Sequence, residues 1–430
     1  MLAVRYRTAD HRTASDVSYK MRYRGAFSLG YLLRDDKLSG FDFDREVNLG
    51  GTLAVEFLPT GRWHSLQQWN NASVGLALTV LDMGQQKYVG QAIAPHAYLN
   101  IPLVHHPKAI FGLRPGIGLG FVTRTYANTV PDELRWKSYR IMTENGYVQV
   151  ANASIGSIVN AFLTGGFYFD FPIKNGWDVT LSVAWQHLSN GSVMTPNGGL
   201  NMFNAELGMA YTPSRKTMGF HYYEPDTDVP ARLHDGVKKK WGIEMYAGGG
   251  VRNVYYCDRE WFGVASAGLS VYWQPVSIFR VGIGGDMYYD GAYAALCDEF
   301  ASEGAKHVTY YGKTYLRESK TANCFRVGVS LQPEFVVGNF TFGYHVGVYL
   351  YDPVKNLEPY SAVAANNGKP LNRGIFYAYD PTKVSNYQDG WCYQKLMLRY
   401  YCGKNFFVHL GLKLHVIKAE FIDAGIGVRI

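Results

Sequence analysis

Runs of ten or more residues in which apolar side chains take every second position constrain this chain more than any other feature. In residues 340–350, FTFGYHVGVYL, one face holds Phe340, Phe342, Tyr344, Val346, Val348 and Leu350, and the other holds Thr341, Gly343, His345, Gly347 and Tyr349. Residues 111–121, FGLRPGIGLGF, repeat the pattern, with Phe111, Leu113, Ile117, Leu119 and Phe121 opposed to Arg114 and four glycines. A period of two belongs to a strand whose faces meet different surroundings. These runs also reach the roughly 9 to 11 residues that a tilted membrane strand needs, whereas ordinary strands have about 5 or 6.

The turn signals between runs predict about sixteen strands, near 18–33, 47–58, 71–83, 89–103, 108–124, 158–171, 177–189, 200–213, 241–252, 260–273, 277–290, 322–334, 339–352, 390–402, 405–417 and 420–430. An even count is what closed outer-membrane barrels require. Short links near 105, 175, 275 and 404 would lie at one end and long ones near 125–157, 291–321 and 353–389 at the other. Periplasmic turns are short and extracellular loops long, so the asymmetry orients the chain. Aromatic content of 15% suits membrane-interface girdles, and no apolar run reaches 18 residues, which leaves no spanning helix to propose.

The expected fold is therefore all-β, a transmembrane antiparallel β-barrel of about 16 strands, with two tandem 8-stranded barrels as the alternative. A long polar stretch, residues 214–240, breaks the short-turn rule and marks a periplasmic connector. It divides an N-terminal segment 1–17 and barrel strands 18–213 from barrel strands 241–430. Inward Arg114, His345, His409, Lys413 and His415 predict a polar lumen, a pore if the barrel is wide and a packed core if it is narrow. The start, MLAVRYRTADHRTASD, lacks the apolar stretch of a secretory signal. With strands like these, the expectation is that such a signal was removed or that the start is mis-assigned.

One run breaks its own pattern. In residues 177–190, WDVTLSVAWQHLSN, the apolar row Val179, Leu181, Val183, Trp185 continues into His187 and Ser189. An unpaired polar group facing lipid costs a few kcal/mol, so the pair needs a partner or a purpose. After the loop GSVMTPNGG, the apolar row of the next strand is Phe203, Ala205, Leu207, Met209 and Tyr211, and Asn201 falls on it. Across a hairpin the two outward rows are neighbours, so the three side chains are expected to meet at the extracellular rim. His187 would then accept the Ser189 proton, and Asn201 would hold the imidazole tautomer without adding a charge. Glu206 falls on the inward row and is set aside.

HLSNG followed by PNGGLN resembles the His-x-Ser-Asn signature of the PagL-type lipid A 3-O-deacylases. That resemblance implies an outer-membrane barrel in which Ser189 is the nucleophile and His187 the base. The family completes its triad with Glu, where this chain has Asn201. The spacing is also similar to outer-membrane phospholipase A, whose triad is Ser-His-Asn and whose members use calcium. The resemblance covers roughly residues 18–213.

The leading expectation is thus an outer-membrane serine esterase, a carboxylic ester hydrolase acting on lipid A of lipopolysaccharide. The alternatives are an outer-membrane phospholipase A and a catalytically inactive porin-like or structural barrel. Asn190 and Gly191 are candidates for oxyanion or loop support. Arg135, Lys137 and Arg140 in the long loop are candidates for gripping substrate phosphates. No cofactor is expected; calcium enters only through the phospholipase resemblance. The five cysteines form no metal-ligand spacing, and Cys257 and Cys297 are candidates to pair in an oxidising compartment. The net charge of +7 comes from basic residues scattered among 35 acidic ones, so no nucleic-acid partner is expected.

Overall fold

A computed structural model describes residues 20–34, 38, 40–58, 64–106, 108–132, 140–143, 146–149, 151–213, 240–253, 261–292, 307–310, 313–316, 321–352, 392–415 and 418–430. In the N-terminal half the strands are β1 (Lys20–Leu33), β2 (Asn48–Leu58), β3 (Ser73–Asp82), β4 (Gln91–His106), β5 (Ala109–Leu113), β6 (Gly116–Val122), β7 (Arg140–Thr143), β8 (Gly146–Gln149), β9 (Val159–Pro172), β10 (Trp177–Ser189) and β11 (Leu200–Tyr211). The C-terminal half contains β12 (Trp241–Arg252), β13 (Phe262–Val276), β14 (Phe279–Asp290), β15 (His307–Tyr310), β16 (Lys313–Leu316), β17 (Phe325–Val337), β18 (Phe340–Tyr351), β19 (Cys392–Tyr401), β20 (Phe406–His415) and β21 (Lys418–Arg429).

The expected single ring of sixteen strands does not form. Strand β11 pairs back onto β1, with Phe203 opposite Tyr31 and Met209 opposite Gly25, which closes the first half on itself. Strand β21 likewise returns to β12, and the second half is a closed eight-stranded barrel. The architecture is the alternative, two tandem barrels, and the reason lies in the inward charges. Eight strands leave an interior that side chains can fill, and each half satisfies its own ions. In the first, Arg22 lies 2.9 Å from Glu56, 2.8 Å from Asp170 and 3.2 Å from Asp178, while Arg24 meets Glu206 at 3.0 Å. In the second, Arg280 bridges Glu244 at 2.8 Å and Glu334 at 2.5 Å, Lys395 meets Asp423 at 3.2 Å, and Arg326 and Lys413 share Glu420.

Arg114, His345, His409, Lys413 and His415 are all buried in these interiors. They are packed core, as narrow barrels require. His345 engages Glu334 at 2.9 Å, and Arg114 lies over the rings of Tyr98 and Tyr168. The lipid-facing rows are exposed and apolar, as in Leu53, Phe27, Leu207 and Ile283. Aromatic pairs gather at the short-turn ends: Trp177 with Tyr211, Trp241 with Trp273, and Phe340 with Tyr400. Such girdles belong at a membrane interface.

Two local features differ from the expected strands. The run at 108–124 is interrupted between β5 and β6, where Pro115 has no N–H to donate and the ladder cannot continue through it. Two small hairpins, β7–β8 and β15–β16, stand within the long connections. Cys257 and Cys297 lie outside the described residues, and Cys324, Cys392 and Cys402 form no disulfide.

Candidate functional site

The hairpin β10–β11 sets the site. Its register places His187 directly opposite Asn201, with Trp185 opposite Phe203 and Gln186 opposite Met202. Directly opposed residues bring their Cβ atoms to about 4.5–5.5 Å. The His187 ring uses that proximity, with its Nδ1 2.8 Å from Asn201 Oδ1. An amide oxygen only accepts, so Nδ1 carries the proton and Nε2 is left with its lone pair. Trp185 stacks beside the imidazole, ring centroids 5.5 Å apart and planes 15° from parallel.

Parity is as the sequence implies. Val183 and Trp185 precede His187 on the outward row, while Ser182, Gln186 and Leu188 are buried inside. Glu206 lies in the lumen, where it accepts from Thr52 and Ser182 at 2.9 Å and pairs with Arg24. Leu188, Leu200 and Met202 belong to an apolar cluster with Phe162, Leu81 and Ile155 that fills the barrel beneath the rim. The polar trio is thus separated from the polar lumen by an apolar layer.

Ser189 ends β10, two residues beyond His187 on the same row, but it is only 7% exposed where Val183 is 58%. Among the described residues neither its Oγ nor His187 Nε2 has a hydrogen-bond partner. Alternate residues on a strand are about 6.6–6.8 Å apart at Cα, close enough for a serine rotamer to turn its hydroxyl toward the imidazole.

The loop that follows is a tight turn. Gly191 and Ser192 both have positive φ, 60° and 65°, and Val193 N–H donates to Asn190 O at 3.2 Å. This is the geometry of a type I′ turn, in which a glycine carries no steric cost. Asn190 is fully occupied in holding it: its N–H donates to Asn197 Oδ1 at 2.9 Å and its Nδ2 to Ser157 Oγ and Met194 O. That arrangement makes Asn190 a loop support. The N–H of Gly191 carries no hydrogen bond among the described residues. Nor does the buried Nδ2 of Asn197.

Two residues of the GSVMTPNGG loop also shape the site. Asn197 is the partner of Asn190, and Gly199 makes room for the imidazole. A Cβ on Gly199, at φ +78°, would lie 2.6 Å from His187 Cε1. The only available signal was the Gly-Gly pair directly before β11. Arg135 and Lys137 lie outside the described residues, and Arg140 begins β7. No group of three or more His, Cys, Asp or Glu side chains that could hold a metal occurs among the described residues.

Two closed antiparallel rings with apolar outer walls define an outer-membrane β-barrel protein, and one of them carries the His187–Asn201 pair on its outward row. Residues 51–210 match the family model described as lipid A 3-O-deacylase (PagL), and residues 241–366 and 372–430 match acyloxyacyl hydrolase, C-terminal domain. These matches support membership of the PagL family. The chain is similar to the crystal structure of the outer membrane enzyme PagL at 12% identity, covering 43% of this chain and 97% of that one with a TM-score of 0.25. It is similar to the outer membrane protein OprG from Pseudomonas aeruginosa at 10% identity, covering 45% and 95% with a TM-score of 0.22. A mutant Rh. blastica porin aligns at 10% identity over 96% and 100% with a TM-score of 0.16. No curated protein matches.

Proposed function

We propose that this protein is an outer-membrane serine esterase that removes an ester-linked acyl chain from lipid A. The observation that carries the reading is the His187 Nδ1–Asn201 Oδ1 bond on the lipid-facing wall. It fixes the tautomer whose Nε2 serves as a base, at the height where lipid headgroups lie.

In this reading Ser189 Oγ attacks the ester carbonyl as its proton passes to His187 Nε2. The resulting imidazolium is oriented by Asn201 and returns the proton to the departing alkoxide, leaving an acyl-enzyme. A water molecule then repeats the sequence, His187 taking its proton, and the fatty acid is released. The N–H of Gly191, two residues past Ser189 and without a hydrogen bond among the described residues, is the donor we assign to the oxyanion. The family match at residues 51–210 supports the same substrate class.

The packed ion pairs in both lumens speak against a solute pore through the described strands. The test is mass spectrometry of lipid A and phospholipids from cells expressing the wild-type chain or Ser189→Ala. Acyl loss from lipid A only with the wild type is expected. Unchanged lipid A in both would overturn the proposal, and fatty acid released from phospholipid alone would assign a phospholipase instead.

A further inference from the structure

The loop that follows Ser189 is held from outside its own barrel. Ser192 Oγ donates to Ala419 O at 2.7 Å, and Asn253 N–H donates to Ser192 O at 2.9 Å. Asn253 Oδ1 accepts from Thr195 twice, from Oγ1 at 2.6 Å and from the backbone N–H at 3.2 Å. Trp261 Nε1 donates to Val193 O at 2.9 Å. All three partners belong to the C-terminal half: Ala419 at the start of β21, Asn253 just past β12, and Trp261 just before β13.

Gly191 sits against the same half. A Cβ built on it would lie 2.4 Å from Ile422 Cγ1 and 3.3 Å from Leu412 Cδ1, so only glycine allows this approach. Ile422 and Leu412 are opposed neighbours on the outer wall of β21 and β20. At the other membrane face Trp69, after helix α1 (His64–Gln68), donates to Val336 O at 2.8 Å and stacks edge-on against Phe335. Contact at both ends fixes the second barrel beside the first.

We infer that the C-terminal barrel is a working part of the hydrolase site: Asn253 positions the turn carrying Gly191, and Leu412 with Ile422 form an apolar wall for the acyl chain of the ester bound at Ser189. This rests on the esterase reading above. It gives a reason for a second barrel whose outer wall shows no corresponding His-Ser-Asn trio among the described residues. The occupant of the wall is a fatty acyl chain, because Ile422 and Leu412 offer no hydrogen bond and lie partly exposed on an outward row beside Gly191.

The experiment uses the full chain reconstituted in phosphatidylethanolamine vesicles containing lipid A with defined ester-linked chains. Asn253→Ala is expected to lower kcat about 10- to 100-fold with KM little changed, since a small displacement of the reacting groups costs that much. Asn253→Asp, which keeps an acceptor for Thr195, is expected to recover most of the rate. Ile422→Ala is expected to raise KM about 10-fold for long chains and less for short ones. Gel mobility before and after boiling checks that the barrels are folded. Should Asn253→Ala not fold, Trp261→Phe and Ile422→Ala decide, the former removing one donor at an exposed position. Wild-type kcat, KM and chain-length preference in these folded variants, alongside an inactive Ser189→Ala, would overturn the inference and leave the esterase reading standing. An active Ser189→Ala would remove both.

Discussion

The seventh strand of each barrel ends at or near a histidine, and the two histidines point in opposite directions. Strand β10 closes on Trp-Gln-His-Leu-Ser and β20 on Leu-Lys-Leu-His. His187 points outward to Asn201, whereas His415 points inward, 4% exposed, with Tyr349 Oη 2.8 Å from its Nε2 and Glu420 3.5 Å from its Nδ1. The outward positions near the end of β20 are Leu412 and Leu414. Because side chains alternate strictly along a strand, a one-residue offset decides whether a histidine braces a lumen or faces the lipid. The two barrels share a scaffold of buried ion pairs and differ in what the outer wall carries.

Removing the Ser189 hydroxyl, the proposed nucleophile, should sharpen that contrast most. Ser189→Ala is expected to lower acyl release about 10³-fold or more, the scale seen when a member of a serine triad is lost. Leu414→Ala at the end of β20 should leave the rate unchanged, with release followed by mass spectrometry in both. Equal losses in the two variants would show that strand ends matter only for folding.

The lumens should behave alike under the opposite kind of change. Glu244→Ala strips Arg280 of a partner that it meets through two nitrogens, at 2.8 and 3.0 Å. Removing one partner of a buried ion pair costs about 3–5 kcal/mol, and the Glu334 carboxylate that Arg280 keeps sets the expectation at the lower end of that range. Glu56→Ala, which removes one of the three carboxylates around Arg22 in the first barrel, should cost a similar amount. Urea titration of the folded barrels measures both. A loss below about 1 kcal/mol in either would mean that its ions are solvated rather than packed. On the lipid side, Leu53→Arg places a cation where the leucine is 70% exposed. It should cost about 2–4 kcal/mol if that position lies near the bilayer centre, and no change would place it outside the membrane.

The strand pattern was legible because lipid and lumen impose opposite chemistries on alternate residues. Fifteen of the sixteen expected runs correspond each to one strand, and the sixteenth is split at Pro115 by its missing N–H. Ring closure was not legible. Whether β11 returns to β1 or continues to β12 depends on pairing at a distance, and the edge residues of the candidate strands suit either course. The inward charges held the clue, but matching Arg22 to Asp170 requires knowing which strands face across the lumen. In the site, His187, Ser189 and Asn201 showed themselves as polar breaks in an apolar row. Asn197 and Gly199 did not, because their roles depend on where the loop folds back onto Asn190 and His187. Nothing in the linear sequence near Ser192 points to Asn253 or Ala419, which lie 61 and 227 residues further on.

The smallest expected effect is the one that separates chemistry from packing at the outer wall. Asn201→Ala deletes the acceptor for His187 Nδ1–H and leaves the imidazole free to rotate or change tautomer. Loss of an orienting group without loss of the base should lower kcat about 10- to 100-fold, roughly 1.4–2.7 kcal/mol. Asn201→Glu supplies an acceptor of the kind the resembling family carries and should stay within about tenfold of wild type. If the two variants were instead equal, or both matched wild type, the 2.8 Å bond would be a cross-strand polar pair at the headgroup level, worth only about 0.2–1 kcal/mol. The outward row of β10 would then differ from that of β20 in composition but not in purpose.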